Sequence, residues 1–189
     1  MKTKKYRSLL LICLLLLSAC TSPPRNVSQI DSFSFVNQDG DSFGTEELTN
    51  SIWIADFIFT NCTSICKPMT SEMAALQQTL KEQNIPVEFI SFTVDPAVDS
   101  PDILKSYVQD FTDDLSNWNL LTGYSQEQIE IFAREQFQTI VQKPTSSNQV
   151  IHSSNFYLID GKGNLVSEYN YIDSDYVDTI LKDIKSLAK

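Results

Sequence analysis

An apolar run broken only by Asp56, Ile52-Trp53-Ile54-Ala55-Asp56-Phe57-Ile58-Phe59, stands in the middle of the chain. Aromatic and β-branched residues without polar alternation predict a central strand buried on both faces. Further along, Met69, Met73, Leu76 and Leu80 recur at helical spacing, and Pro68 suits a first helical turn, where no backbone N–H is needed. Val87 to Val94 is a second strand, ending at Asp95-Pro96. Strand, cysteine-bearing loop, helix and strand therefore follow one another.

The same rhythms organise the rest. Phe33 and Phe35 alternate with polar residues, Asn37 to Asp41 has turn chemistry, and Ser42-Phe43 returns, which predicts an N-terminal β-hairpin. Ser100-Pro101-Asp102 reads as the cap of a helix carrying Ile103, Tyr107, Val108 and Phe111. Asn119 to Thr122 is a short strand before Gly123, and Ser125 with Gln128 forms a capping box for a helix through Phe137. Phe156 to Ile159 and Leu165 to Tyr169 flank the turn Asp160-Gly161-Lys162-Gly163, and an amphipathic helix from Tyr176 to Leu187 closes the chain. Alternating strands and helices followed by a hairpin and a last helix define an α/β layered domain, a central sheet flanked by helices.

The first residues have a different character. Lys2, Lys4, Lys5 and Arg7 precede the apolar run Leu9 to Leu17, and Ser18-Ala19-Cys20 follows. That is the form of a secretory signal, well short of the roughly 20 apolar residues a spanning helix needs. Leu17-Ser18-Ala19-Cys20 resembles the lipobox of bacterial lipoproteins, whose cysteine is diacylated and becomes the new N-terminus. Residues 1–19 then form a lipoprotein signal peptide, and residues 20–29 the lipidated Cys20 with a tether containing Pro23-Pro24. Residues 30–189 form one domain, held at the extracytoplasmic face of the cell membrane by two acyl chains.

Charge narrows the partners. Fourteen basic residues oppose 24 acidic ones, a formal net charge of −10; four of the basic residues fall within the signal, so 10 against 24 leaves −14 after processing. Such a surface argues against nucleic acid, whose phosphates demand cations, and fits cationic partners or metal ions.

Of four cysteines, Cys13 leaves with the signal and Cys20 is lipidated, so the domain keeps Cys62 and Cys66 and the one histidine, His152. Two soft thiolates and an imidazole suit a copper ion or a reversible disulfide better than hydrolysis. The dithiol leaves a central strand and enters a helix, where the helix dipole favours thiolate, with Cys66 nearest the helix. Three residues separate the cysteines, a spacing compatible with chelation, with a redox disulfide or with a purely structural one. A lone histidine is equally readable as a surface or core residue, and Met69 and Met73, though thioethers, sit at core spacing.

The segment Phe59-Thr60-Asn61-Cys62-Thr63-Ser64-Ile65-Cys66-Lys67-Pro68-Met69 is joined by Ser91 to Pro96 with Asp99 and Pro101, by Leu121-Thr122-Gly123, and by Ile151-His152-Ser153 leading into a strand. In these motifs, in this order, the chain resembles the Sco/SenC family of thioredoxin-like copper proteins, which assist assembly of the binuclear copper centre of cytochrome c oxidase. The resemblance covers about residues 30 to 187. It implies a thioredoxin-like fold, Cys62, Cys66 and His152 as copper ligands, and as partners the copper-site subunit of the oxidase and other copper-carrier proteins. It also leaves a second activity open, a thiol-disulfide oxidoreductase acting through Cys62 and Cys66 as its redox dithiol.

Family members often carry proline after each cysteine, whereas this chain has Thr63 and Lys67, the latter a cation that favours a Cys66 thiolate. Asp95 and Asp99 are expected to support the site without ligating metal. Asp56 is expected to pair with an amide or lysine, or to tune the dithiol. A peroxidase would need an arginine near its cysteine, and only Arg134 is a candidate outside the tether.

Overall fold

The computed structural model describes residues 29–187; the signal, Cys20 and the tether before Gln29 lie outside the described residues. A short antiparallel hairpin, β1 (Ser34–Val36) and β2 (Ser42–Gly44), precedes the central strand β3 (Trp53–Ile58). Helix α1 (Cys66–Glu82), strand β4 (Glu88–Thr93), helix α2 (Pro101–Gln109), strand β5 (Trp118–Leu121) and helix α3 (Gln126–Phe137) follow. The chain ends with the hairpin β6 (Asn155–Ile159) and β7 (Leu165–Asn170) and helix α4 (Tyr176–Leu187). The sheet order is β5-β4-β3-β6-β7, with β3, β4 and β5 parallel and β6 and β7 antiparallel.

Both faces of this sheet are covered, which explains why β3 does not alternate. Trp53 and Phe57 look toward α3 and the N-terminal hairpin: Phe57 meets Phe137 at 5.2 Å, Phe33 meets Trp53 at 6.2 Å and Phe132 at 5.4 Å, and Phe137 meets Tyr157 at 5.1 Å. Each such pair is worth about 0.5–1.5 kcal/mol beyond the area it buries. The opposite face carries Ile54, Asp56 and Ile58 of β3 and Phe156 of β6, whose ring packs on Tyr176 of α4. Tyr176 in turn donates to Glu72 of α1 at 2.7 Å, so α1 and α4 share that side.

The N-terminal hairpin also closes an open edge. Val36 and Thr122 exchange both backbone hydrogen bonds, and the Gln38 carboxamide donates to Trp118 O and accepts from Leu120 N, as a neighbouring strand would. Gly123 follows at φ +86°, and a Cβ there would lie 2.8 Å from Val36 Cγ2, so both conformation and close approach require glycine. At the other end of the sheet, Ile30 N donates to Gly163 O in the β6–β7 turn at 2.8 Å, which pins the start of the described residues to that turn.

Most expected elements lie within a residue of their observed bounds, and the Ser125–Gln128 capping box forms in both directions. Helix α2 differs in detail. Ser100 occupies its N-cap but makes no side-chain capping bond, and Ile103 is exposed while Leu104 joins Tyr107 and Val108 inside. No helix among the described residues is long and apolar enough to cross a membrane.

Candidate metal centre

In a parallel sheet the loops beyond the carboxyl ends of the strands are the natural binding edge. The dithiol leaves β3 at that edge. β6 runs antiparallel to β3 with Ala55 opposite Tyr157, so the same register carried onward puts Phe59 opposite Ser153. The start of β6 therefore lies beside the end of β3, which is how residues far apart in sequence come together. Phe59 and His152 stack edge to face at 5.7 Å.

Cys62 Sγ, Cys66 Sγ and a ring nitrogen of His152 lie within 4.8 Å of one another, the one such group among the described residues. His152 Nε2 is 3.2 Å from Cys66 Sγ. Its Nδ1 is 2.8 Å from Ser153 O, which can only accept, so Nδ1 carries a hydrogen and in the neutral ring Nε2 keeps its lone pair for the thiols or a metal. Both cysteines are free thiols, Cys66 buried and Cys62 half-exposed. The donor set fits a soft or borderline cation, and its two thiolates come from one loop while the imidazole comes from another.

The two thiols behave oppositely, and not as position along the helix implies. Burial works against ionising Cys62, but hydrogen bonding with the His152 and Cys66 side chains and with the backbone N–H groups of Ser64 and Cys66 outweighs it and brings its pKa down to about 5. Cys66 N–H itself points at Cys62 Sγ from 3.4 Å. Cys66, fully buried, is pushed up by desolvation, by its hydrogen bond to Cys62 and by the charges of Cys62 and Asp56. The expected Cys66 thiolate is therefore corrected: the first helical turn spends its N–H on the other cysteine. Lys67 is exposed and does not alter that order.

Asp95 and Asp99 stand outside the thiol–imidazole group. Asp95 accepts from Lys143 Nζ at 2.6 Å, which ties the β4–α2 connection to the loop that carries His152. Asp99 accepts from Thr60 N at 3.2 Å, Thr60 Oγ1 at 2.6 Å and Thr93 Oγ1, and so holds the stem of the cysteine loop. Burial raises its pKa although those hydrogen bonds oppose the rise. Asp56 finds neither the amide nor the lysine expected of it: it is fully buried and neither oxygen meets a donor at hydrogen-bonding geometry. Desolvation lifts its pKa to about 7 against smaller pulls from Ser91 and His152. Its charge in turn adds to the rise at Cys66, so it does act on the dithiol. Arg134 is engaged with Glu135 on the outside of α3. Cys20 lies outside the described residues.

Lys143 and Gln149 were not legible beforehand. Both are ordinary polar residues in the α3–β6 loop, and only their partners at residues 95, 61 and 63 give them meaning.

A β3–α1–β4 core with a dithiol at the mouth of α1 and an antiparallel β6–β7 pair defines a thioredoxin-like protein. The family profile SCO1/SenC matches residues 22–189, and the chain belongs to that family. A SCO1/SenC family lipoprotein from Bacillus anthracis superposes with a TM-score of 0.85 at 46% identity, covering 89% of this chain and 100% of its own. BsSco, described as having a disulfide switch and as a member of the Sco family of cytochrome c oxidase assembly proteins, gives 0.80 at 44% identity over 88% and 96%. Copper-bound yeast Sco1 gives 0.70 at 28% identity over 84% and 90%.

Proposed function

We propose that this chain is a membrane-tethered copper chaperone that assists assembly of the binuclear copper centre of cytochrome c oxidase. Cys62, Cys66 and His152 hold the copper, Cys20 carries the lipid anchor at the extracytoplasmic face, and the oxidase subunit bearing the copper site is the acceptor. One observation carries this reading: two thiol sulfurs and an imidazole nitrogen converge within 4.8 Å at the binding edge of a Sco-family domain. Copper is soft enough as Cu(I) for two thiolates, and the imidazole extends the site to Cu(II). The copper found in yeast Sco1 and the lipoprotein character of the Bacillus anthracis relative support the metal and the anchor respectively.

Anaerobic titration of the reduced protein with copper tests the reading, comparing wild type with Cys62→Ser, Cys66→Ser and His152→Ala. One copper per chain, weakened by all three changes, is the expected result. Absence of tight copper binding in wild type would refute it.

A second reading rests on the half-exposed Cys62 with its pKa near 5 beside a buried Cys66, the asymmetry of an attacking and a resolving thiol. Such an oxidoreductase would reduce the cysteines of the oxidase copper site or another extracytoplasmic disulfide. It needs both thiols but not His152, so full biological activity in His152→Ala would select it.

A further inference from the structure

The cysteine loop receives little support from its own neighbourhood. Between Thr60 and Ser64 its backbone bonds are Cys62 N to Phe59 O at 3.3 Å and the Thr60 N–H given to Asp99. Thr60 Oγ1 adds a second bond to Asp99, and Cys66 N–H and the Ser64 hydroxyl reach Cys62 at its sulfur, 3.4 and 3.6 Å away, whereas the backbone to either side of Cys62 is held by a side chain far along the chain. Gln149 Nε2 donates to Asn61 O at 3.1 Å, while Gln149 Oε1 accepts from Thr63 N at 3.2 Å and from Thr63 Oγ1 at 3.1 Å. Asn61 O and Thr63 N–H flank Cys62 on either side, so the carboxamide grips the backbone around that cysteine as a paired strand would. The assignment of its nitrogen and oxygen follows from the partners, since Thr63 N–H can only donate and Asn61 O only accept.

Gln149 shares its loop with the histidine. Three residues before His152, it gives its own N–H to Ser147 Oγ at 3.0 Å. Ile151 exchanges both backbone bonds with Gln142, at 3.0 and 2.9 Å, and the neighbouring Lys143 is anchored to Asp95 and, through its N–H, to Glu130. The α3–β6 loop is thus a braced arm with His152 at one point and the Gln149 carboxamide at another, and that carboxamide rests on the loop of Cys62.

We propose that Gln149 is a positioning residue that joins the thiolate loop to the imidazole loop, setting the separation of Cys62 and His152 through bonds to the residues on either side of Cys62. This rests on the copper-site reading above and deepens it. Its chemistry is selective. A Cu(I) ion satisfied by the two thiolates draws both ligands from the connection between β3 and the start of α1 and depends little on the joint, whereas Cu(II) needs the imidazole as well and depends on it.

The test uses the reduced, metal-free protein as wild type, Gln149→Ala, Gln149→Glu and His152→Ala. Cu(II) release to a chelator is followed by the thiolate charge-transfer absorption, and Cu(I) affinity by competition with a chromogenic Cu(I) chelator. Gln149→Ala is expected to release Cu(II) roughly tenfold faster and to shift the charge-transfer band, with Cu(I) affinity within about twofold of wild type. Gln149→Glu keeps the acceptor for Thr63 but loses the donor to Asn61, and is expected to fall between wild type and Gln149→Ala. If Gln149→Ala matches wild type in Cu(II) release while His152→Ala loses the metal, the proposal is overturned and the copper site stands. Equal weakening of Cu(I) and Cu(II) with a lowered unfolding temperature would also overturn it, reducing Gln149 to a general brace. If wild type itself holds no copper, both the site and the joint fall.

Discussion

Asp56 lies at the centre of β3 with no donor at full hydrogen-bonding geometry, only a weak pull from Ser91, and no accessible surface, so its protonation is coupled directly to folding. In the folded chain its pKa stands near 7 against an ordinary 3.8, and each tenfold gain in proton affinity is worth about 1.36 kcal/mol, so the ionised form carries a penalty of roughly 4 kcal/mol. The sign is that of a raised acid. Below pH 3.8 the carboxyl is neutral in both states and costs nothing; as pH rises from 3.8 toward 7 the unfolded chain ionises first, and stability falls until the folded carboxyl also ionises. Asp56→Asn removes that titration while keeping the shape. In urea unfolding of the reduced, metal-free protein, the stability of Asp56→Asn relative to wild type should rise by roughly 3 kcal/mol between about pH 4.5 and pH 8. Titrating groups that do not sense the Asp56 charge are shared and cancel in the difference. A difference that stays flat across that range would refute the account of Asp56 as a buried, unpartnered acid.

Two further outcomes follow from the site. Alkylation of the metal-free protein should modify Cys62 with a rate that rises as pH passes about 5, while Cys66 stays unreactive through neutral pH; mass-spectrometric mapping of the labelled thiol checks this, and a Cys62 midpoint in the ordinary thiol range near 9 would contradict it. Asp99→Ala leaves Thr60 N, Thr60 Oγ1 and Thr93 Oγ1 without their acceptor and should destabilise the protein by about 2 kcal/mol; an unchanged thermal midpoint would mean that the stem of the cysteine loop is held by something else.

The elements whose logic is local were readable from the chain. The doubly apolar β3, the Ser125–Gln128 box and the Asp160 to Gly163 turn each state their geometry within a few residues, and the structure keeps all three. Helix α2 shows the limit: Pro101 marks its start correctly, but which of Ile103 and Leu104 turns inward depends on the sheet it meets. In the site, Cys62, Cys66 and His152 could be named because they were the few soft ligands left, and family likeness ordered them. Which thiol ionises could not be named, because burial of Cys66 and the convergence of donors on Cys62 are consequences of packing. Lys143 and Gln149 were equally silent, since a bond across 48 or 86 residues leaves no periodicity.

The hydrogen bond from Ile30 to the β6–β7 turn has a directional consequence. Trp53 pairs with Ile159 at that end of β3, and the cysteine loop leaves the strand at the other, so the chain enters the domain at the pole opposite its thiols. A strand of six residues spans roughly 20 Å, and a tether can stretch by about 3.3 Å per residue. On the proposed anchoring through Cys20, the point of attachment and the dithiol would stand at opposite ends of the domain, like a lamp on a cord. An acceptor would meet it most readily by presenting its copper site on a part that stands clear of the membrane, and shortening the leash would limit reach without touching a ligand.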